Sequence, residues 1–302
     1  MKTAFSSAAE LLELVAADGR TLPRWMIARE AFLTGRDEAA VRDEIARRLS
    51  ITRTALARGF KEPQRSVSGL TEGAAAKLHA QVNPPVRDEL WNRALAYAVA
   101  INEVSACGGR IVAFPTAGSS GIVPGLLWAW RDEREGELSA SSPRLQDAVA
   151  VAGAIGAVIA ARATLSGAAG GCQAECGAAA AMGSGALAWL ASGDAGRAFN
   201  AAALSLKNSL GLACDPVAGL VEVPCVKRNA FLAGNALVAL TLDSAGIRSA
   251  VPFDEVVSAM KAIGDMMSPQ LKESAEGGLA MTPTGLRVKA AMEAGFPDAP
   301  DS

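Results

Sequence analysis

The chain has 302 residues, of which 50% are hydrophobic, 20% charged and 5% aromatic. This is a globular composition that excludes an intrinsically disordered chain, and the length allows one large domain or two small ones. The 29 basic and 31 acidic residues give a net charge of −2, without the basic excess typical of proteins that bind nucleic acid or anionic lipid. We therefore expect no nucleic acid and no membrane as partners.

Small side chains dominate the composition. The sequence is rich in alanine and contains 30 glycines, which favours closely packed helices over sheets. Strand-like alternation is scarce and no fixed-period repeat is apparent. The sequence therefore predicts an all-α fold, in which residues 1–302 form a single large domain with buried helices rich in alanine and glycine.

The N-terminal residues, 1–60, are more charged than the rest and carry an amphipathic pattern. Apolar residues recur there at helical spacing, as at Val41, Ile45 and Leu49. We expect two or three helices here, packed on the rest of the domain through their apolar faces. The polar stretch 61–69 then predicts a loop.

A helix is predicted at about 87–105, and a glycine-rich loop follows it at 107–124 with the sequence CGGRIVAFPTAGSSGIVP. Backbone N–H groups in such a loop, next to a helix N-terminus, are suited to binding an anion such as a carboxylate. A tight connection with no ligand is the alternative. Beyond this loop the pattern is nearly all helical, with breaks at 166–171, 215–227 and 277–285.

Two apolar runs raise the alternative of a membrane protein. Residues 148–161 are uncharged but too few to span a bilayer, and residues 176–193 are rich in glycine, alanine and serine. Both runs therefore predict buried helices of a large core.

The counts of histidine and cysteine narrow the chemistry. A single histidine, His79, argues against a histidine-based triad and excludes a multi-histidine metal site built from this chain alone. Its helix-like context is more typical of a packing residue than of a catalytic base. An odd number of cysteines, five, without a secretory leader favours the reducing cytoplasm over a disulfide framework.

Three cysteines, Cys172, Cys214 and Cys225, lie in glycine- or proline-rich segments, where a thiolate is accessible and gains N–H stabilisation. Cys176 lies one helical turn after Cys172, and Cys107 precedes two glycines. A buried, inert side chain is the alternative for each of them. The spacing lacks the compact Cys-x-x-Cys runs of ferredoxins and structural zinc sites, so spacing alone leaves both interpretations open.

Four segments carry a resemblance to a known family. They are PTAGSSGIVP at 115–124, SGAAGGCQAE at 166–175, LKNSLGLACDPVAGLVEVPCVKRN at 206–229 and GGLAMTPTG at 277–285. They resemble the alpha chain of iron–sulfur L-serine dehydratases (L-serine ammonia-lyases), and the resemblance extends from the N-terminal helices to about residue 285. It implies a helical catalytic domain and the conversion of L-serine to pyruvate and ammonia.

The resemblance also implies a [4Fe–4S] cluster held by Cys172, Cys214 and Cys225. Cys176 and Cys107 stand where the family usually carries other residues, so we expect them to take no part. Three thiolates for four irons leave one iron open as a Lewis acid. That iron would bind the carboxylate and hydroxyl of L-serine and polarise the C–O bond, while a base removes the Cα proton.

Two sets of residues are predicted to bind the substrate. The first is the loop with Thr116, Gly118, Ser119 and Ser120, whose hydroxyl and N–H groups suit a carboxylate. The second set, close to the cysteines, comprises Asn208, Lys227, Arg228 and Asn229. Surface charges and a helix cap are the alternative for this second set.

The catalytic base is expected on a partner. In the family, the histidine-bearing motif of the active site belongs to a beta domain, whereas this chain begins its alpha-type helices at once. The resemblance therefore implies a separate beta subunit and an alpha chain that is inactive or weak alone. We expect residues 286–302 to form a C-terminal helix and tail, without the cysteine that ends single-chain members.

Two other functions stay open at this point. One is an iron–sulfur lyase that acts on L-cysteine and releases sulfide. The other is a non-catalytic helical scaffold or transporter fragment that uses its small residues for packing only.

Overall fold

The computed structural model describes residues 3–61, 65–136 and 142–294. These residues form thirteen α-helices and no β-strand, with only two isolated β-bridges, Arg65 with Glu72 and Cys214 with Lys272. The predicted all-α fold is therefore confirmed.

The helices follow one another with short connections. They are α1 (Ala8–Asp18), α2 (Leu22–Thr34), α3 (Glu38–Lys61), α4 (Ala74–His79), α5 (Glu89–Ala106), α6 (Ile122–Trp130), α7 (Pro143–Arg162), α8 (Gly167–Gly170), α9 (Ala178–Ser192), α10 (Ala195–Lys207), α11 (Cys225–Ser244), α12 (Phe253–Met266) and α13 (Pro283–Glu293). Wide π-helical turns occur at Arg131–Glu135 and Gln173–Gly177, and 3₁₀ turns at Val217–Gly219, Pro269–Leu271 and Gly278–Met281.

Helix α9 lies at the centre of the domain and packs against α6, α7, α10 and α11. Its residues from Ala178 to Ala188 are all buried, and most of them are alanine or glycine. Small side chains let the neighbouring backbones approach closely, since a Cβ atom on Gly185 would lie 2.8 Å from the carbonyl oxygen of Ala198 in α10. The predicted core of small residues is therefore present, and it places the first turn of α9 deep in the molecule.

Helices α1, α2 and α3 occupy the predicted amphipathic region. Val41 and Leu49 are buried and Ile45 is half-buried, as their spacing predicts. Helix α3 packs on α5 and α2 packs on α7, so the apolar faces of these helices cover the core. The helix predicted at about 87–105 is α5.

Three predicted boundaries shift. The loop predicted to end at residue 124 ends where α6 begins, at Ile122, and the break at 166–171 contains the short helix α8. The break predicted to reach residue 227 is too long, because α11 begins at Cys225 itself. Helix α13 covers part of the predicted C-terminal helix, and residues 295–302 of the predicted tail lie outside the described residues.

In the described part of the chain, α7 is the one helix long and apolar enough to cross a membrane, and 61% of that apolar stretch is buried inside the protein. The uncharged run at 148–161 is thus part of a longer, 20-residue helix. Its packing against α2 and α9 is that of a core helix.

A matched pair of glycine substitutions tests this packing. A Cβ atom on Gly125 of α6 would lie 2.7 Å from the backbone nitrogen of Ala98 in α5, whereas a Cβ on Gly153 of α7 would meet nothing within 4 Å. We expect Gly125→Ala to lower the free energy of unfolding by about 1–3 kcal/mol through overpacking. Gly153→Ala should raise it by about 0.5–1 kcal/mol through helix propensity. Chemical denaturation measures both, and equal shifts would contradict the close approach of α5 and α6.

Candidate metal centre

A cavity of about 160 Å³ lies where four separate segments of the chain meet. These segments are the α5–α6 loop, the turn before α9, the α10–α11 loop with the first residue of α11, and the segment after α12. The lining residues are Thr116, Ala117, Gly118, Cys172, Glu175, Cys176, Cys214, Pro216, Val221, Cys225 and Glu273. Four of the five cysteines therefore face one cavity, and the three that the resemblance implies as ligands are among them.

Cys172 directly precedes the wide π-helical turn Gln173–Gly177. This turn contains Cys176 and leads into α9. The buried side chain of Gln173 fixes this turn, because its amide accepts a hydrogen bond from the Gly211 N–H at 3.0 Å and donates one to the Met260 carbonyl at 3.0 Å. The Gln173 N–H also donates to the Leu212 carbonyl at 3.1 Å. The turn is thus tied to the α10–α11 loop before that loop reaches Cys214.

Cys214 is held by short backbone hydrogen bonds to the segment after α12. The Cys214 N–H donates to the Leu271 carbonyl, and the Glu273 N–H donates to the Cys214 carbonyl, each at 2.8 Å. Glu273 has a φ of +63°, a conformation uncommon for residues other than glycine. This pairing brings a carboxyl group from a distant part of the sequence to the mouth of the cavity.

Cys225 is the first residue of α11, and Asn229, one turn later, connects this helix to the α5–α6 loop. The Asn229 amide donates to the carbonyls of Gly118 at 2.7 Å and of Cys225 at 2.9 Å, and accepts from the Gly121 N–H at 3.0 Å. Asn229 is fully buried, and every one of these contacts is to backbone. It positions the wall of the cavity and does not line the cavity itself.

The four thiols of the cavity interact with one another. Hydrogen bonds with Cys176 and Cys214 hold the pKa of Cys172 well below its usual value, and the Arg228 guanidinium adds to this effect. The hydrogen bond to Cys172, together with burial, raises the pKa of Cys176 and of Cys214. Burial, followed by the charge of Cys172, raises the pKa of Cys225 to about 12. The free chain therefore concentrates thiolate character on Cys172.

Arg228 is the cation of the site. Its side chain is only 13% exposed and donates to the Ala213 carbonyl at 2.9 Å and to the Asp215 carboxylate at 3.4 Å. Burial opposes its charge, but the Cys172 thiolate and the Asp215 carboxylate outweigh burial and raise the pKa of Arg228. The predicted site residue Arg228 thus stands beside the thiols.

Glu175 places a buried carboxyl among the thiols. The Cys214 thiol donates to its Oε2 at 3.5 Å, and the Thr116 hydroxyl also hydrogen-bonds to this carboxyl. Burial raises the pKa of Glu175 to about 7, and the nearby charges of Cys172 and Glu273 contribute to the rise. Ligand atoms of Cys172, Glu175 and Cys214 all lie within 4.8 Å of one another.

The donor set fits a metal cofactor. All five cysteines are free, and the four in the cavity are buried. Clustered thiolates are soft ligands that favour iron–sulfur clusters and zinc over magnesium or calcium. The cavity cysteines, which come from the turn before α9, the α10–α11 loop and the start of α11, can therefore hold a metal centre between them.

Thr116 and Gly118 of the α5–α6 loop line the cavity. Ser119 and Ser120 of the same loop lie outside the lining and form hydrogen bonds with other protein groups. Ser119 is buried, its hydroxyl donates to the Phe114 carbonyl at 3.0 Å, and it lies 3.0 Å from the Thr116 hydroxyl oxygen. The buried Ser120 hydroxyl accepts from the Asn102 amide at 3.2 Å. Both serine hydroxyls thus have partners within the protein, and of the three hydroxyl residues in this loop Thr116 is the one that lines the cavity.

Several predicted residues lie away from the cavity lining. Asn208 is exposed and its amide donates to the Leu204 carbonyl of its own helix. Lys227 is exposed and its ammonium lies 3.4 Å from the Thr71 hydroxyl. Their role in substrate binding stays a prediction.

The single histidine and the fifth cysteine also lie elsewhere. His79 stacks on Phe60 with 4.2 Å between ring centroids, and Cys107 is a half-buried thiol at the end of α5. Neither residue lines the cavity.

Three lining residues with ionisable side chains were not predicted as part of the site: Glu175, Cys176 and Glu273. Glu175 and Cys176 follow Cys172 within one helical turn. Their position in the sequence therefore predicts that they lie close to Cys172. Glu273 carries no such signal, because only the backbone pairing with Cys214 brings it to the site. The prediction that Cys176 takes no part in cluster binding stays a prediction, although its thiol lines the cavity.

Comparison with known proteins gives the family. The sequence model of the serine dehydratase alpha chain matches residues 17–280. A Bacillus subtilis (strain 168) protein named probable L-serine dehydratase, alpha chain, is 42% identical over 287 residues, 94% of each chain. The L-serine dehydratase, alpha chain, of Peptoniphilus asaccharolyticus is 41% identical over 222 residues, 73% of this chain and 75% of the relative.

A longer relative is similar over the same region. The L-serine dehydratase of Streptomyces coelicolor is 35% identical over 287 residues, which are 93% of this chain but only 62% of the relative. Together with the cysteine-lined cavity, these similarities show that the chain belongs to the serine dehydratase alpha chain family.

Proposed function

We propose that this chain is the catalytic alpha chain of an L-serine dehydratase and deaminates L-serine to pyruvate and ammonia. The observation that carries the proposal is the convergence of Cys172, Cys214 and Cys225 on one buried cavity. The relatives that share nearly the whole chain are named L-serine dehydratase, which favours a lyase over a helical scaffold.

The proposed cofactor is a [4Fe–4S] cluster on Cys172, Cys214 and Cys225. Cys172, Cys214 and Cys225 lie in the turn before α9, in the α10–α11 loop and at the start of α11, so together they would hold a cluster from different sides. Cys176 shares its turn with Cys172, and its thiol lies 3.9 Å from the Gly118 carbonyl oxygen. When bound, the cluster supplies a Lewis-acidic iron that makes the substrate hydroxyl a better leaving group. Ligation requires the thiols to lose their protons.

The chain's own residues then have distinct tasks. Arg228 compensates the negative charge of the buried thiolates, which would otherwise be costly to bury. Thr116, with the backbone of Gly118, is the part of the α5–α6 loop that faces the substrate, and Ser119 orients the Thr116 hydroxyl. Asn229 holds this loop at a fixed distance from Cys225. Such preorganisation keeps the substrate oriented while its Cα proton is removed.

The base that removes the Cα proton is proposed to come from a beta subunit. The cavity lining in the described part of the chain includes neither a histidine nor a lysine, and its carboxyls, Glu175 and Glu273, are the alternative bases. The family name, which distinguishes an alpha chain, favours a base on a second chain. The thiol-based site also fits a reducing compartment, and we propose the cytoplasm.

Removal of single cysteines tests the cluster. We expect Cys172→Ser, Cys214→Ser and Cys225→Ser to reduce iron and acid-labile sulfide after anaerobic reconstitution to background, because each removes one of three thiolate ligands. Cys176→Ser should keep the cluster, and Cys107→Ser serves as the matched control outside the cavity. Iron analysis and the visible spectrum measure the result. A full complement of iron in Cys225→Ser would contradict the proposed ligand set.

Addition of the beta subunit tests the origin of the base. General acid–base catalysis contributes about 10²–10⁴-fold to rates, so the reconstituted alpha chain should gain at least about 100-fold in pyruvate formation when its beta subunit is added. The beta subunit alone should be inactive. An alpha chain that is as fast alone as in the mixture would show that the base lies in this chain.

Substrate preference separates the proposed lyase from the cysteine-specific alternative. We expect the complete enzyme to form pyruvate from L-serine with a higher kcat/KM than from L-cysteine. Parallel assays of pyruvate and sulfide measure this preference. Release of sulfide from L-cysteine without turnover of L-serine would establish the alternative.

A further inference from the structure

Two carboxyl groups converge on one side of the cavity. A Cβ atom on Gly167 would lie 2.7 Å from the carboxyl carbon of Glu175 and 3.1 Å from Oε2 of Glu273, so the absence of a side chain at Gly167 leaves room for both. Glu175 is 8% exposed and Glu273 is exposed. One carboxyl therefore lies inside the cavity and the other at its mouth.

Within the described residues, neither carboxyl is paired with a cation. Among the ion pairs of the described residues, Arg228 joins Asp215, and none involves Glu175 or Glu273. The contacts of Glu175 are hydrogen bonds from Cys214 and Thr116. A buried carboxyl without a cation is costly.

A ligand with an ammonium group would supply the missing charge. An ammonium offers three N–H donors and needs acceptors around it. Apart from the cysteines, the ionisable groups that line this cavity are the carboxyls of Glu175 and Glu273. Thr116 donates to Glu175 on the same side of the cavity, which leaves the other oxygen lone pairs of this carboxyl to accept from an ammonium group.

We propose that Glu175 and Glu273 bind the α-ammonium group of the substrate and thereby select amino acids over hydroxy acids. This inference rests on the proposed function, because it names the group that recognises the nitrogen of L-serine. Glu175 is the principal acceptor inside the cavity, and Glu273 completes the site at the mouth.

The test compares two ligands that differ in the ammonium group. L-serine carries it, whereas 3-hydroxypropionate has a hydrogen atom in its place and is measured as a competitive inhibitor. The complete, anaerobically reconstituted enzyme is assayed as wild type, Glu175→Gln and Glu273→Gln. Glu276→Gln is the matched control, since Glu276 lies in the same segment as Glu273 but outside the cavity lining. Iron and acid-labile sulfide are determined for every variant.

The expected result is a selective loss of affinity for the amino acid. Hydrogen bonds to charged groups contribute about 1.5–3 kcal/mol, so Glu175→Gln should raise the KM for L-serine about 10- to 100-fold, and Glu273→Gln should raise it less. The inhibition constant of 3-hydroxypropionate, the kcat and the iron content should stay near wild type. Glu276→Gln should match wild type in all four quantities.

Three outcomes would overturn the inference. Equal weakening of both ligands would mean that the carboxyls only shape the cavity. A fall in kcat at unchanged KM would assign Glu175 to proton transfer, and loss of iron from Glu175→Gln would make it a metal ligand. If Glu175→Gln does not fold, Glu273→Gln at the mouth still decides between these outcomes. A wild type that binds no iron or leaves L-serine unchanged would instead refute the proposed function, and this inference with it.

Discussion

The arrangement of this site depends on the burial of several sulfur atoms around one point. Thiolates that converge in a cavity repel one another and lose their hydration, so they need compensation from the protein. Cys172 receives it from the thiols of Cys176 and Cys214 and from the guanidinium of Arg228. Arg228 in turn donates hydrogen bonds to Asp215 and to the Ala213 carbonyl, which both belong to the α10–α11 loop. The same contacts therefore position the cation beside the thiolate and fix the course of this loop.

The helical core provides the rigidity that this balance requires. Alanine and glycine in α9 let its neighbours pack closely, and the turn that carries Cys172 and Cys176 is continuous with that helix. Asn229 and Gln173 then join the surrounding segments through hydrogen bonds between their buried amides and the backbone. Buried amides of this kind lose several hydrogen bonds if one segment moves. The cavity walls are therefore coupled, although they come from distant parts of the sequence.

The fold class could be predicted because local sequence carries it, and the resemblance to the family indicated three of the cysteines that line the cavity. Scarce strand patterns and small residues indicate helices, and the glycine- and proline-rich segments around Cys172, Cys214 and Cys225 mark irregular backbone. The directions of individual side chains were harder to predict. Lys227 and Arg228 are adjacent, yet successive residues of a helix point about 100° apart, so Arg228 contacts the thiols while Lys227 faces solvent.

Tertiary contacts decide what local sequence leaves open. The hydroxyls of Ser119 and Ser120 suit an anion by residue type, and both have partners within the protein, so their role in substrate binding stays a prediction. Glu273 reaches the cavity through backbone pairing with Cys214, which no local pattern encodes. Glu175 lies three residues after Cys172 in the sequence. It becomes a candidate for ligand binding only when the structure shows that its carboxyl is buried and has no cationic partner among the described residues.

We propose that three cysteines hold a cluster with one iron open to the substrate. The most direct measurement is the Mössbauer spectrum of the enzyme reconstituted with isotopically enriched iron, recorded with and without L-serine. We predict one iron site that differs from the others and shifts when L-serine is added, because three thiolates leave that iron without a protein sulfur ligand. Spectra in which all iron sites are equivalent and unaffected by L-serine would contradict it.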